Sequence, residues 1–343
     1  MTDISPLIYT PEKSIEVFEK TEDFLKEEEL ENDITEILWV YHSVGDLIPQ
    51  TETNLWSGHF FPYGESWREL QVSLNLCFFG FYKQSLYSVR STLEVGLLSV
   101  YWNLFDKGHK EVQEWLKAEE KTPYTDTIWQ KLKKHENIQT LQQSYDIKSK
   151  LDSLNYLHDY VHSRGYEYSN YIGLHKSNFQ TFEERGLKLW LDSAKEVVKV
   201  LTILHLAKYP IGTIKFNYSR KFGIDKPAFG GLDKPQIDRI VNLIGEDVYQ
   251  ILHNIAKEDE TVSDIMNWVK GLPDMTEEDV EQQILDFDKE RIKHNGIKNW
   301  LEGEAKILEE VPNKEEYKDR IRKLVKWAIK NGYKEPARKR EDE

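Results

Sequence analysis

The sequence predicts an all-α protein of two lobes, a helical bundle followed by a smaller helical domain. Three observations lead there. Apolar residues recur at three- and four-residue spacing along most of the chain, as in Ile147, Leu151, Leu154, Leu157 and Val161. Helix-starting signals recur too: Thr10-Pro11, Asp233 ahead of a new helix, and the capping box Thr276-Glu-Glu-Asp279. Strand-like alternation occurs in one run, Ile211 to Ser219, through Ile214, Phe216 and Tyr218. That run has no obvious partner and allows a short hairpin at most. The first lobe is expected over residues 1–210 and ends at Tyr209-Pro210. Residues 211–235, with two prolines and a Gly-Gly in Lys226 to Pro235, form the linker. Residues 236–343 form the second lobe.

Taken in order, a helix after Thr10 buries Ile15, Phe18 and Leu25 and runs into the solvated cluster Glu27-Glu28-Glu29. A second, Ile34 to Leu47, turns Ile37, Leu38, Tyr41 and Val44 inward. Pro49 to Gly64 reads as a loop whose Trp56, Phe60, Phe61 and Tyr63 cover the core or a ligand. Ser66 to Tyr82 is apolar nearly all round, which predicts a central helix. Gln84 to Phe105 buries Leu86, Leu93, Leu97, Val100 and Leu104. Short helices follow at Gly108 to Ala118 and from Ile128. One helix spans about Asp146 to His162, and a long one about Phe179 to Ala207. Helices continue through Ile237, Val248, Val262, Thr276 and Ile297 to a last one over Lys314 to Lys330.

With 343 residues, 39% hydrophobic and 12% aromatic, the chain is long enough for two cores and too apolar to be disordered. A net charge of −14 argues against general adhesion to nucleic acid or anionic membranes, while leaving room for a local basic patch. The one cysteine, Cys77, lies among Leu76, Phe78 and Phe79 and reads as a buried thiol. It excludes an intrachain disulfide and a Cys-rich zinc site, and it fits a reducing cytoplasm. The first residues are acidic, with no apolar signal core. No run approaches the roughly 20 apolar residues of a membrane span. The expectation is a soluble cytoplasmic protein with no membrane partner.

The stretch Leu151 to Gly165 concentrates the candidate chemistry. On a continuous helix His158 falls inside the apolar stripe, and His162 falls at its edge beside Asn155, with Asp159 between them and Arg164 just past the end. Arg90 likewise lies in the inward stripe of its helix, with Glu94 one turn on. An unpaired charge there would cost several kcal/mol, so Arg90 must meet a carboxylate, a carbonyl cluster or an anion. It either pairs with Glu94 at i,i+4 or lines a pocket with His158 and His162; both readings stay open. His158-Asp-Tyr-Val-His162 also has the histidine spacing of a zinc helix, with Glu183 or Glu184 downstream as a third ligand. The pair His158-Asp159, with His135 and Asp192, permits an HD-type phosphohydrolase. Neither spacing selects a full ligand set, and the expectation is no metal and no cofactor.

Ser85-Leu-Tyr-Ser-Val-Arg-Ser-Thr-Leu-Glu94, followed by Tyr156-Leu-His-Asp-Tyr-Val-His162, resembles the HEPN superfamily of helical bundles common in bacterial defence and toxin systems. The resemblance covers about Glu65 to Lys208. It implies metal-independent RNA cleavage at a homodimer interface, with a histidine assisting proton transfer and an arginine stabilising the phosphorane. His162 matches the family's histidine in type and context. The family's arginine is absent: Asn155, Tyr156 and Leu157 stand where it would precede His162, and Leu151, Asp152 and Ser153 before His158. The cation must then come from Arg90 or Arg164, or the chain is a non-catalytic relative serving as a binding or scaffold subunit with a partner protein. On the last helix Arg322, Lys323, Lys326 and Lys330 gather opposite the apolar face, and Arg338-Lys-Arg340 follows. Such a face either neutralises nucleic-acid phosphates or is simply solvated.

Overall fold

The computed structural model describes residues 10–105, 108–169, 181–215, 217–223, 230–311 and 314–333. Among these residues the regular structure is helical throughout, and no strand occurs. In chain order the helices are α1 (Pro11–Glu27), α2 (Glu31–Leu47), α3 (Glu52–Ser57), α4 (Phe60–Phe78), α5 (Tyr82–Tyr101), α6 (Gly108–Leu116), α7 (Thr125–Leu132), α8 (Glu136–Tyr145) and α9 (Ile147–Asp152). Then come α10 (Tyr156–Val161), α11 (Glu184–Lys208), a 3-10 turn at Pro210–Thr213, α12 (Tyr218–Phe222), α13 (Lys234–Ile244), α14 (Glu246–Glu258), α15 (Glu260–Gly271), α16 (Glu277–Asn295), α17 (Ile297–Glu310) and α18 (Lys314–Lys330).

The chain forms two compact units: Met1–Phe216 with Lys226–Trp268, and Asn217–Asp225 with Val269–Glu343. The sequence predicts a single boundary across residues 211–235. Instead, α13 and α14 belong to the first unit, because Ile237, Ile240, Ile244, Val248, Leu252 and Ile255 join the same core as Leu201 and Leu204. Among the described residues no hairpin forms in this segment. Pro210 opens the 3-10 turn, and Tyr218 starts α12 under an Asn217 cap on Arg220 N (3.0 Å). Phe216 lies outside the described residues.

In the first unit α5 and α11 are central. α5 packs on α4, α11, α10 and α7, and α11 also packs on α2 and α8. Leu86, Val89, Leu97, Leu98 and Val100 of α5 are buried with Val197, Val198, Leu201 and Leu204 of α11. Gly96 permits the close crossing: a Cβ there would meet Leu201 Cδ1 at 2.5 Å and Tyr41 Oη at 2.9 Å. The segment expected to be central, α4, is covered on one side only, where Ser66, Leu70, Ser73 and Cys77 are buried while Val72 is exposed. Its buried serines face α5; Ser66 Oγ donates to Thr92 O (2.6 Å) and Ser73 O accepts from Ser85 Oγ (2.8 Å). The expected loop at Pro49 to Gly64 contains α3, capped by Thr51 on Asn54 N and ended by Gly58 at φ 76°. Caps at Thr10, Asp233 and Thr276 form as their sequences imply.

The second unit buries a small core of Ile292, Ile297, Trp300, Leu324 and Ala328 between α16, α17 and α18. It also buries two carboxylates. Glu304 accepts from Arg291 Nη1 (3.0 Å), Arg320 Nη2 (2.9 Å) and Tyr317 Oη (2.5 Å), and Asp288 accepts from Trp300 Nε1 (3.2 Å).

Candidate functional site

The segment expected as one helix from Asp146 to His162 is two short helices, α9 and α10, joined by a tight turn. Through that turn the hydrogen bonds run three residues back rather than four: Leu154 N to Leu151 O (3.2 Å), Leu157 N to Leu154 O (3.1 Å) and His158 N to Asn155 O (3.0 Å). A tightened backbone has about three residues per turn. Leu151, Leu154, Leu157 and Tyr160 therefore share the buried side at a spacing of three. His158, which a continuous helix would bury, is rotated out to solvent together with His162, and Asn155 is exposed on the turn. The two imidazoles lie with ring centroids 4.2 Å apart.

α10 packs on α5. The apolar stripe of α5 sets its rotation, and Lys83, Tyr87, Arg90 and Glu94 follow one another at four- and three-residue steps along the flank that meets α10. Arg90 Nε and Nη2 both donate to Glu94 Oε1, at 3.0 and 2.7 Å, so the i,i+4 pair forms. Among the described residues Nη1 of Arg90 has no hydrogen-bond partner, which leaves one edge of the guanidinium uncommitted there. Arg90 lies within electrostatic reach of His158 all the same. His158 is held below the usual imidazole range by local desolvation first, then by the positive charge of Arg90 and by His162, against Asp159 and Glu94. Arg164 is 80% exposed and reaches Asp159 Oδ1 at 3.4 Å. Lys83, only 4% exposed, donates to Ser163 Oγ at 2.5 Å. This face can do two things chemically: hold an anion and move a proton through an imidazole.

The ligands weighed for a metal do not assemble. Among the described residues no group of three or more His, Cys, Asp or Glu side chains is placed to hold an ion. Glu184 pairs with Lys188 (2.7 Å), Asp192 is exposed, and His135 precedes α8 with its ring 6.0 Å from that of Phe105. On α18 Arg322, Lys323, Lys326 and Lys330 are exposed, and Lys323 pairs with Asp319 at 3.2 Å. Arg338 and Arg340 lie outside the described residues.

Sequence reasoning missed a buried polar cluster where α5 ends against α11. Lys208 Nζ donates to Ser99 O (2.8 Å) and Trp102 O (2.6 Å), carbonyls at the C-terminal end of α5, and lies 4.9 Å from the Tyr209 ring centroid. Burial, and then the charge of Lys131, pushes its ammonium well below the usual lysine range. His205 donates through Nδ1 to Leu201 O (2.7 Å), which leaves Nε2 to accept from Ser99 Oγ (3.1 Å). Burial pushes His205 down to about 3. His59, whose Nε2 meets Tyr209 Oη at 3.1 Å, is pushed to about 2 by burial, then by Lys208, His109 and His205. A lone histidine within the apolar spacing of α11 was the available signal for His205; nothing in sequence links it to His59. Elsewhere in the first unit a cleft of about 810 Å³ lies between α2 and α13, lined by Trp39, His42, Asp46, Asp233, Gln236 and Arg239. Its polar groups satisfy one another: Gln236 donates to Asp46 (2.7 Å), and Arg239 donates to Glu36 (2.6 Å) beside it.

No protein-family model, no curated protein and no solved structure matches this chain.

Proposed function

We propose that the α5–α10 face binds RNA phosphate and cleaves the strand without a metal, in the manner the HEPN resemblance implies, within a cytoplasmic defence or toxin system and as a homodimer. One observation carries this reading: Arg90, whose Nη1 has no hydrogen-bond partner among the described residues, lies within electrostatic reach of the exposed His158, and the ring of the exposed His162 is 4.2 Å from that of His158. His162 takes the proton of the 2′-hydroxyl as that oxygen attacks phosphorus, and then returns it to the departing 5′ oxygen. The products are a 2′,3′-cyclic phosphate and a 5′-hydroxyl. Arg90 Nη1 offsets the charge that builds on the phosphorane oxygens. His158, held neutral, packs against His162 and sets its ring; Arg164 adds an exposed cation beside Asp159.

The test is a cleavage assay on single-stranded RNA. His162→Ala should abolish cleavage and leave RNA binding largely intact, because proton transfer acts on the transition state more than on the ground state. Arg90→Lys should slow cleavage, since a lysine cannot hold Glu94 and a phosphate oxygen with one planar fork. Full activity in a folded His162→Ala protein would end the ribonuclease reading. The second reading is a helical interaction subunit. It is favoured by the two hydrogen bonds that already tie Arg90 to Glu94.

A further inference from the structure

The same face holds a cation that the cleavage chemistry does not use. Lys83 lies in the first turn of α5, is 4% exposed, and makes no ion pair with a carboxylate among the described residues. The ring of Tyr87, 5.7 Å from its Nζ, is its other polar-face neighbour. A buried ammonium without a counter-charge costs several kcal/mol, and one hydroxyl does not compensate it. Every other long cation here is matched: Arg90 by Glu94, and Arg164 by Asp159. Among the lysine and arginine side chains of the cluster, Lys83 is therefore the one with no carboxylate partner among the described residues.

The direction of the Lys83–Ser163 hydrogen bond fixes what the serine can do. An ammonium has donors only, so Ser163 Oγ must be the acceptor. Its own hydrogen remains to be donated, and it goes to no protein atom among the described residues. Ser163 is exposed and sits at φ 48°, in the left-handed region that non-glycine residues adopt at a cost. In the chain Ser163 lies between His162 and Arg164, both exposed. A hydroxyl polarised from behind by an ammonium is a strengthened donor toward an anionic oxygen. Lys83 meets Ser163, and Arg90, seven residues on, meets His158, so α5 and α10 run antiparallel. The two cation positions are then about 10 Å apart along α5.

We infer that Ser163, backed by Lys83, is a second phosphate-binding position, which grips a phosphate neighbouring the one at Arg90 and His162. The inference rests on the reading of this face as an RNA site for its strand context, and on the geometry alone for its anion chemistry. Ser163 and Lys83 are positioning and binding residues here, with no part in proton transfer.

The experiment uses the full chain in two arms. In the first, fluorescein-labelled single-stranded RNA is titrated into wild type, Ser163→Ala, Ser163→Thr and Lys83→Met at several salt concentrations. Ser163→Ala and Lys83→Met should each weaken binding about ten-fold, Ser163→Thr should restore it, and Lys83→Met should lower the salt slope by about one. In the second arm inorganic phosphate is titrated, and the Ser163 amide resonance should shift in wild type and not in Lys83→Met. If Lys83→Met fails to fold, Ser163→Ala, a change to an exposed side chain, carries both arms. Cleavage by wild type with unchanged RNA affinity in Ser163→Ala would overturn the inference and keep the ribonuclease reading. Phosphate held at Ser163 by a protein that does not cleave RNA would do the reverse. Binding of neither RNA nor phosphate would overturn both.

Discussion

Acidification should destabilise the first unit through two histidines that no site uses. His205 and His59 are buried, with folded values of about 3 and about 2, whereas an unfolded imidazole titrates near 6.5. Between those values the unfolded chain binds protons that the native one refuses, so stability falls as the pH drops below about 6.5 and is intact above it. At about pH 5 each histidine lies roughly 1.5 units below its unfolded value, worth about 2 kcal/mol apiece or about 4 kcal/mol together. His135, His158 and His253 are lowered as well and act in the same direction. Urea denaturation at about pH 7.5, 6.5 and 5, followed by far-UV circular dichroism, measures the loss. His205→Gln removes one titration, and the loss between about pH 7.5 and 5 should shrink by about 2 kcal/mol. A wild-type stability that is flat over this range, or an unchanged slope in His205→Gln, would refute the reasoning.

Four further outcomes are expected. Arg90→Ala and Glu94→Ala should each lower stability by about 0.5 kcal/mol, with the double mutant less than additive in thermal melts, because the pair is real but partly exposed. Glu304→Gln should cost the second unit about 3 kcal/mol, since Arg291 and Arg320 would lose their shared buried charge; amide exchange in α17 reads this directly. Gly96→Val should destabilise by about 1–3 kcal/mol by forcing Leu201 and Tyr41 away, measured by the urea midpoint. Reversing Arg322, Lys326 and Lys330 to glutamate should weaken RNA binding and flatten its salt dependence if α18 contacts phosphate. Unchanged affinity would make it a solvated face.

The all-α architecture was legible because its signals are local. Four-residue apolar steps and side-chain caps such as Thr10 and Asp233 act within one helix, and each recurs in the structure. The candidate site was half legible. His158 lies within electrostatic reach of Arg90, Glu94 and His162, but on a backbone other than the one the helical spacing implies. A continuous helix at 3.6 residues per turn puts His158 inside the apolar stripe, whereas Leu151, Leu154, Leu157 and Tyr160 follow a spacing of three. The tighter turn exposes His158 instead of burying it. The cluster of Lys208, His59 and His205 could not be read, because it joins residues about 150 positions apart through a helix end. The alternation at Ile214 and Tyr218 misled because a proline-started 3-10 turn and a short helix can also set apolar residues at even spacing.

The path of the chain between its two compact units has a consequence for biosynthesis. It leaves the first unit near Phe216, contributes Asn217–Asp225 to the second, returns for Lys226–Trp268, and leaves again. The core around Leu201 and Leu204 therefore stays open at Ile237, Ile240, Leu252 and Ile255 until those residues have left the ribosome. A nascent chain halted at residue 216 exposes a large apolar surface that only a later segment can cover, which makes it a client for chaperones rather than a finished domain. For the same reason no single cut separates the units into two whole pieces. A protease nick between residues 216 and 226 would leave two fragments, each carrying part of both.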